Sequence, residues 1–288
     1  MSEQENKETK TLSSPPNRKL NYRFGCSGAP LKKKKNVYKL SPSSTTPPPF
    51  FSLRATFASS IPVLDQGSVG DCTAFALGYY IQFLEQGLKG QNTVPSHLFL
   101  YYNGRVIGGY PTDEDTGLSV EDICSSAQQF GIPDEKLWPY KENNVFTKPP
   151  ASVYQAAKAI TLSGFQQIYP IQDAGGIYRF GVFKRAMTTS SFGLPIIFGM
   201  QCYTTFLSPD PTTGYVKLPN LATDSYVGSH CVLLIGYDDS KKQAQCINSW
   251  SSSWGDKGFF VLDYAYILNP SLCADFFICS SLSFQTST

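Results

Sequence analysis

The chain has 288 residues, with 24 Lys and Arg against 22 Asp and Glu, and it is 41% hydrophobic and 14% aromatic. That length supports one large domain or two lobes around a sizeable core. A net charge of +2 leaves no basic footprint for a nucleic acid or an acidic membrane surface, and no apolar run reaches the roughly 20 residues that span a bilayer.

Residues 1–49 differ in composition from the rest. Met1–Lys10 is polar and lacks the apolar core of a signal peptide, which points to an intracellular protein. Lys32–Lys35 reads as a solvated charge cluster, and Ser41–Pro49 is a low-complexity linker ending in prolines. Composition predicts disorder over about the first 18 residues, while Tyr22, Phe24 and Tyr38 could pack parts of this arm on the body. The body is expected from Phe50 to the end.

Asp65–Asp71 contains two glycines and a serine and reads as a tight loop. Cys72 then opens an apolar helix, expected to run to about Gln86 with Gly87 as its stop. Its all-round apolarity predicts burial. Ser96 caps a short helix through Asn103, and Thr112–Thr116 is an acidic loop. Further helices are expected over 117–130, 153–159 and 178–189. After residue 190 the pattern turns to strands, over 194–200, 230–237, 243–249, 258–262 and 276–279, with 238–242 as a hairpin turn. The expected fold class is therefore α+β with two lobes, 50–190 mainly helical and 191–288 mainly β, and a site between them.

The chemistry starts at Cys72. A helix N-terminus favours an anion, so it lowers the pKa of a thiol placed there. Gln66, six residues upstream, can aim its amide at the oxygen of an attacked carbonyl, beside the backbone N–H of Cys72, as an oxyanion hole. A buried structural cysteine at a helix start is the alternative. The chain has two histidines, His97 and His230. His97 lies among Leu98, Phe99, Tyr101 and Tyr102, which suits a hydrogen-bonded core histidine. His230 opens a strand, and Asn248 closes the return strand of the same hairpin, so Asn248 can orient the ring: nucleophile, base and orienter. The eight cysteines show no Cys-x-x-Cys pair and no zinc-ligand spacing, so no metal and no cofactor is expected. Most are read as reduced and buried.

Three blocks carry a resemblance: Gln66-Gly-x-x-Gly-x-Cys72-x-Ala-Phe, Gly228-Ser229-His230-x-Val-x-x-x-Gly236-Tyr237, and Asn248-Ser249-Trp250-x-x-x-Trp254-Gly255-x-x-Gly258. In order and separation they resemble the papain-like cysteine peptidases. Leu98–Asn103 and Glu135–Tyr140 are closer to the microbial and viral branch than to lysosomal cathepsins. The resemblance covers about residues 50–280. It implies a two-lobed fold with a helical left lobe, a barrel-like antiparallel right lobe and the active site in the cleft between them. It implies Cys72 as nucleophile, His230 as general base and acid, Asn248 as orienter and Gln66 as oxyanion donor. It implies Thr116, Gly117 and Trp250 as substrate-binding residues: Thr116 and Gly117 would pair with an extended substrate backbone, and Trp250 would also shield the Asn–His hydrogen bond from water.

The sequence departs from the family at Thr73, where Trp is frequent, at Ser251, where Gly is usual, and at Val69, where many members carry a disulfide cysteine. With no histidine pair for an occluding loop, the resemblance implies an endopeptidase acting on polypeptides, expected as a monomer. A non-catalytic peptide-binding homologue and an acyltransferase with the same triad are the alternatives. The resemblance also makes residues 1–49 a candidate intramolecular inhibitor. Small neighbours around Cys26 would let that backbone enter a narrow cleft. Cys26 could then form a disulfide with Cys72; a free cysteine on a loosely packed arm is the other reading.

Overall fold

The computed structural model describes residues 25–26, 37–39, 46–169, 171–172 and 178–285. Residues 1–24, 27–36 and 40–45 of the arm, with the Lys32–Lys35 run and the aromatics Tyr22 and Phe24, lie outside the described residues.

The helix Cys72–Lys89 organises what surrounds it. Every residue from Cys72 to Glu85 is buried, because the run has no polar face to offer water. In chain order the elements are β1 (Phe50–Ser52), α1 (Arg54–Ser60), α2 (Cys72–Lys89), α3 (His97–Gly108), α4 (Val120–Gln129), α5 (Ala151–Ala157), β2 (Ile160–Ile168), β3 (Ile171–Gln172), β4 (Tyr178–Arg179) and α6 (Gly181–Met187). They continue with β5 (Ile196–Tyr203), α7 (Thr204–Leu207), β6 (Tyr215–Val216), β7 (Tyr226–Asp238), β8 (Gln243–Ile247), β9 (Phe259–Asp263), α8 (Tyr264–Ile267) and β10 (Cys273–Phe284). Helices precede strands, as the sequence predicts for an α+β chain.

The main sheet runs β2-β10-β5-β7-β8-β9-β6, with β1 added along β7. All its pairings are antiparallel except β6 with β9. The central strand β7 is buried from His230 to Tyr237 and carries the apolar run Val232–Ile235. In its register with β5, Met200 faces His230 and Gly199 faces Cys231.

Three boundaries depart from expectation. Gly87 does not end α2. The helix continues to Lys89 and stops at Gly90, which takes the left-handed conformation at φ 65°. Gly87 instead gives room to a neighbour, since a Cβ there would stand 2.9 Å from the Phe192 ring. His230 does not open its strand; β7 begins four residues earlier. Residues 160–168, with no element expected from sequence, form β2 and pair along β10, so the sheet draws a strand from the otherwise helical first half.

Tyr80 ties α2 to β10. Where the β10 register slips between Cys279 and Ser281, the Tyr80 hydroxyl donates to the Cys279 carbonyl (3.1 Å) and accepts from its N–H (3.0 Å). Tyr80→Phe strands both buried groups, and each unmet group costs about 1–3 kcal/mol. We expect a loss of that order, read as a lower urea midpoint at unchanged slope.

Candidate active site

The two halves of the site are stitched together by backbone. Gln66 N–H donates to the Ser249 carbonyl (3.0 Å) and Ser251 N–H to that of Leu64 (3.0 Å), flanking a bridge between Asp65 and Trp250. This pairing holds the loop before α2 against the segment that follows β8. Side chains lock it further. Ser249 Oγ donates to Gln66 Oε1 at 2.6 Å, Gln66 Nε2 donates to the Val69 carbonyl at 2.9 Å, and Tyr140 donates to the Gln66 carbonyl at 2.8 Å. Because the Val69 carbonyl can only accept, the Gln66 amide has one orientation, with its oxygen toward Ser249. Farther along the loop, Asp115 accepts from Gly70 N–H (2.9 Å) and Glu142 from Ser68 Oγ (2.5 Å).

Asn248 follows β8 directly and meets the ring of His230 across the hairpin. His230 Nε2 and Asn248 Oδ1 are 2.7 Å apart. Ser249 N–H also reaches Asn248 Oδ1, at 2.8 Å. A backbone N–H can only donate, so the shared atom is the amide oxygen, and Nε2 of His230 must carry a proton to bond it. The neutral ring is thereby held with its basic lone pair on Nδ1. Trp250 lies tilted beside this ring at 4.8 Å between centroids and packs edgewise on Phe206 at 5.2 Å. Both aromatics are fully buried, so water is kept from the His–Asn pair.

Cys72 is the first residue of α2, under the glycine-bearing loop. The backbone of Cys231 lies beside its thiol. Cys231 directly follows His230, which puts the sulfur at the point of β7 that carries the imidazole. The backbone of Gly25 approaches the same thiol. The arm thus runs through the site. Leu118 N–H donates to the Gly25 carbonyl at 2.9 Å, and Cys26 N–H to the Ser229 carbonyl at 3.2 Å. Gly25–Cys26 therefore bridges the α4 side and the β7 side directly over the nucleophile. The approach needs glycine: a Cβ on Gly25 would stand 1.7 Å from the Gly70 carbonyl oxygen. The arm is anchored again where Tyr38 N–H meets the Gln167 carbonyl (2.9 Å) and where Tyr237 donates to the Pro48 carbonyl (2.9 Å).

Under this cover both reactive groups are desolvated. Burial pushes the Cys72 thiol well above its usual range, with nearby Cys26 adding to the rise and the Gly25 and Cys231 backbones opposing it. Burial also lowers His230 to about 4, against the Asn248 hydrogen bond, which raises it. The thiol and the imidazole are thus held neutral in the covered cleft, against the lowered thiol pKa that a helix N-terminus predicts. Asp71, the N-cap of α2, is likewise pushed well up by burial, partly offset by the hydroxyl of Tyr140.

Cys72, His230, Asn248 and Gln66 come together as the sequence anticipates. Gly117 is shifted in role. Its N–H is bonded to the Tyr101 hydroxyl at 2.9 Å, and the neighbouring Leu118 supplies the donor that an extended backbone meets. Thr116 turns its hydroxyl onto the Gly117 carbonyl. Trp250 is enclosed against His230, where it shields the pair and presents no surface to the cleft. His97 is a packing residue, stacked on Phe75 at 4.1 Å. Sequence reasoning missed Ser249 and Leu118. Ser249 had a legible signal, standing next to Asn248 in the third block; Leu118 had none, because its role is set by the arm. All eight cysteines are buried and free. Among the described residues no group of three His, Cys, Asp or Glu side chains is arranged to hold a metal ion, and no helix is long and apolar enough to cross a membrane.

Comparison with known proteins agrees with this geometry. The family model for papain family cysteine proteases matches residues 117–268. An uncharacterized peptidase C1-like protein of Acanthamoeba polyphaga mimivirus is 34% identical over 232 residues, covering 79% of this chain and 73% of its own. The crystal structure of xylellain, a cysteine protease from Xylella fastidiosa, superposes with a TM-score of 0.77 at 26% identity, over 93% of this chain and 99% of that one. Procathepsin B of Trypanosoma congolense shares the fold at 13% identity, with a TM-score of 0.66 over 91% and 87% of the two chains. With its cleft, its ordered Cys, His, Asn and Gln and these likenesses, the chain belongs to the papain family of cysteine proteases.

Proposed function

We propose that the chain is a cysteine endopeptidase made in a latent form, with residues 1–49 as its intramolecular inhibitor and residues 50–288 as its catalytic body. The observation that carries this reading is the His230–Asn248 hydrogen bond, set at the point of β7 whose backbone lies beside the Cys72 thiol. In the open cleft water and the helix N-terminus favour charge on sulfur, and Nδ1 of His230 takes the proton. The thiolate attacks a peptide carbonyl. The Gln66 amide and the Cys72 N–H donate to the oxyanion. His230 then returns its proton to the leaving amine and activates water to release the acyl group. Asn248 keeps the ring in the productive tautomer throughout, and no cofactor enters.

The latent form follows from where Gly25–Cys26 lies. It takes the backbone donor of Leu118 and the acceptor of Ser229 that an extended substrate would need. It also keeps the dyad dry and neutral. The likeness to proforms, such as procathepsin B of Trypanosoma congolense, supports this reading.

Three outcomes test it. Cys72→Ala and His230→Ala should each abolish peptide hydrolysis, and an epoxide-type thiol-protease inactivator should map to Cys72 in the wild type. Gln66→Ala should lower kcat by about 100- to 1,000-fold with a smaller change in KM, as for loss of one oxyanion donor. Undiminished kcat would remove Gln66 from the mechanism.

Gly25→Val should activate the full-length chain, because any side chain there strikes the Gly70 carbonyl. Reactivity scales with the fraction of open clefts, so labelling at Cys72 should rise about tenfold or more over the wild type. An unchanged rate would end the inhibitory reading of the arm.

The depressed His230 sets a pH dependence. Its folded value of about 4 lies below the unfolded 6.5, so the unfolded chain binds the extra proton first. The stability due to the buried neutral ring is complete above about pH 6.5 and is lost as pH falls toward 4. The wild type should lose up to about 3 kcal/mol more than His230→Gln across that window, measured by thermal melts at each pH.

A further inference from the structure

Three cysteines meet where the arm crosses the site. Cys26 comes from the arm, Cys72 heads α2 and Cys231 lies on β7, and each is buried with a free thiol. They are not equivalent partners for one another. The Cys72 sulfur lies beside the backbones of Gly25 and Cys231, with Cys26 also near it. The Cys26 sulfur itself sits against the sheet: it stands 3.1 Å from where a Cβ on Gly199 would be. Gly199 is the cross-strand partner of Cys231. Side chains of paired residues share a face of the sheet, with Cβ atoms about 4.5–5.5 Å apart. Cys26 therefore fills the space that glycine leaves open beside Cys231. The backbone fixes this position from the arm side as well, through Cys26 N–H on Ser229, two residues before Cys231.

We propose that Cys26 and Cys231 form a disulfide that fastens the arm in the cleft, so that the latent protease opens only after reduction. The proposal rests on the inhibitory reading of the arm and adds its regulation. It differs from the Cys26–Cys72 pairing considered from the sequence, because the docked Cys26 sulfur lies over the Gly199–Cys231 pair. The oxidant is a peroxide. When the arm lifts, the Cys26 thiol is oxidised to a sulfenic acid and the peroxide is reduced to water or an alcohol. When the arm redocks, the Cys231 sulfur displaces hydroxide from the sulfenic sulfur, its own proton joins the hydroxide as water, and the S–S bond forms. A dithiol reverses the step by exchange, leaving both cysteines as thiols and the reductant as a disulfide. The bond spares Cys72, so the nucleophile is intact on release.

The test uses the full-length chain. It is treated with one equivalent of hydrogen peroxide, blocked with N-ethylmaleimide, digested without reductant and mapped by mass spectrometry. We expect a linked peptide joining Cys26 to Cys231 and a fall in free thiols from eight to six. The linked species should label at Cys72 with iodoacetamide about tenfold more slowly than the untreated chain, since the arm can no longer lift. Dithiothreitol should restore the untreated rate. Cys26→Ser should give no linked peptide. A Cys26–Cys72 link, or no link with Cys26 oxidised alone, would overturn the proposal. The Gly25→Val chain separates the two levels. If that variant is activated yet the wild type never forms the Cys26–Cys231 bond, the arm inhibits without a latch; if it is not activated, the inhibitory reading has failed first.

Discussion

The short backbone pairing between residues 64–66 and 249–251 is what makes one site from two distant parts of the chain. Gln66 lies on one side of it and Asn248 just beyond the other. Because Gln66 N–H bonds the Ser249 carbonyl while Ser249 Oγ bonds the Gln66 side chain, the position of the oxyanion loop and that of the histidine-orienting amide are set by the same few bonds. Neighbouring contacts keep the pairing rigid. Tyr79 of α2 receives Leu64 N–H at 2.8 Å, so the helix that presents Cys72 is tied to the same seam. A catalytic group displaced by an ångström loses much of its effect, and a seam of backbone hydrogen bonds between buried elements resists such displacement.

Burial has opposite consequences for the two functions this site combines. An acyl-transfer site profits from a water-poor setting, since oxyanion donors act more strongly there. A thiolate–imidazolium pair, by contrast, needs enough solvation to carry separated charge. With Gly25–Cys26 in place the balance falls to the neutral pair, with the thiol pushed up and the imidazole pulled down by the same desolvation. In the proposed latent form the arm thus acts on the chemistry as well as on access: it removes the water that the charged dyad requires.

Much of this was legible in the residues. The turn-rich 65–71 segment, the apolar run after Cys72 and the His230–Asn248 hairpin carry strong local signals, and the structure joins them as those signals imply. What was not legible is tertiary. Gly87 reads as a helix stop, but Phe192 packs on the helix there and the chain continues to Lys89, a packing override of local propensity. The 160–168 stretch, Ile-Thr-Leu-Ser-Gly-Phe-Gln-Gln-Ile, has a glycine and weak alternation, and it becomes a strand because β10 offers a pairing edge. The exchange of Gly117 for Leu118 as the backbone donor depends on the Tyr101 hydroxyl, which no spacing rule could have supplied.

The glycines at the crossing explain why one cleft can hold either an inhibitor or a substrate. The Gly25 carbonyl oxygen would lie 2.1 Å from a Cβ on Gly117, and Gly70 meets Gly25 from the opposite wall. Two of these glycines belong to the body and one to the arm. A side chain at Gly117 would narrow the groove for every extended chain that enters it, including the peptides to be cleaved. A side chain at Gly25 would exclude only the arm. On the proposed reading of the arm, inhibition can therefore be relaxed through the arm alone, without altering the walls on which turnover depends, and Cys26, adjacent to that glycine, is where the proposed disulfide acts on the same contact.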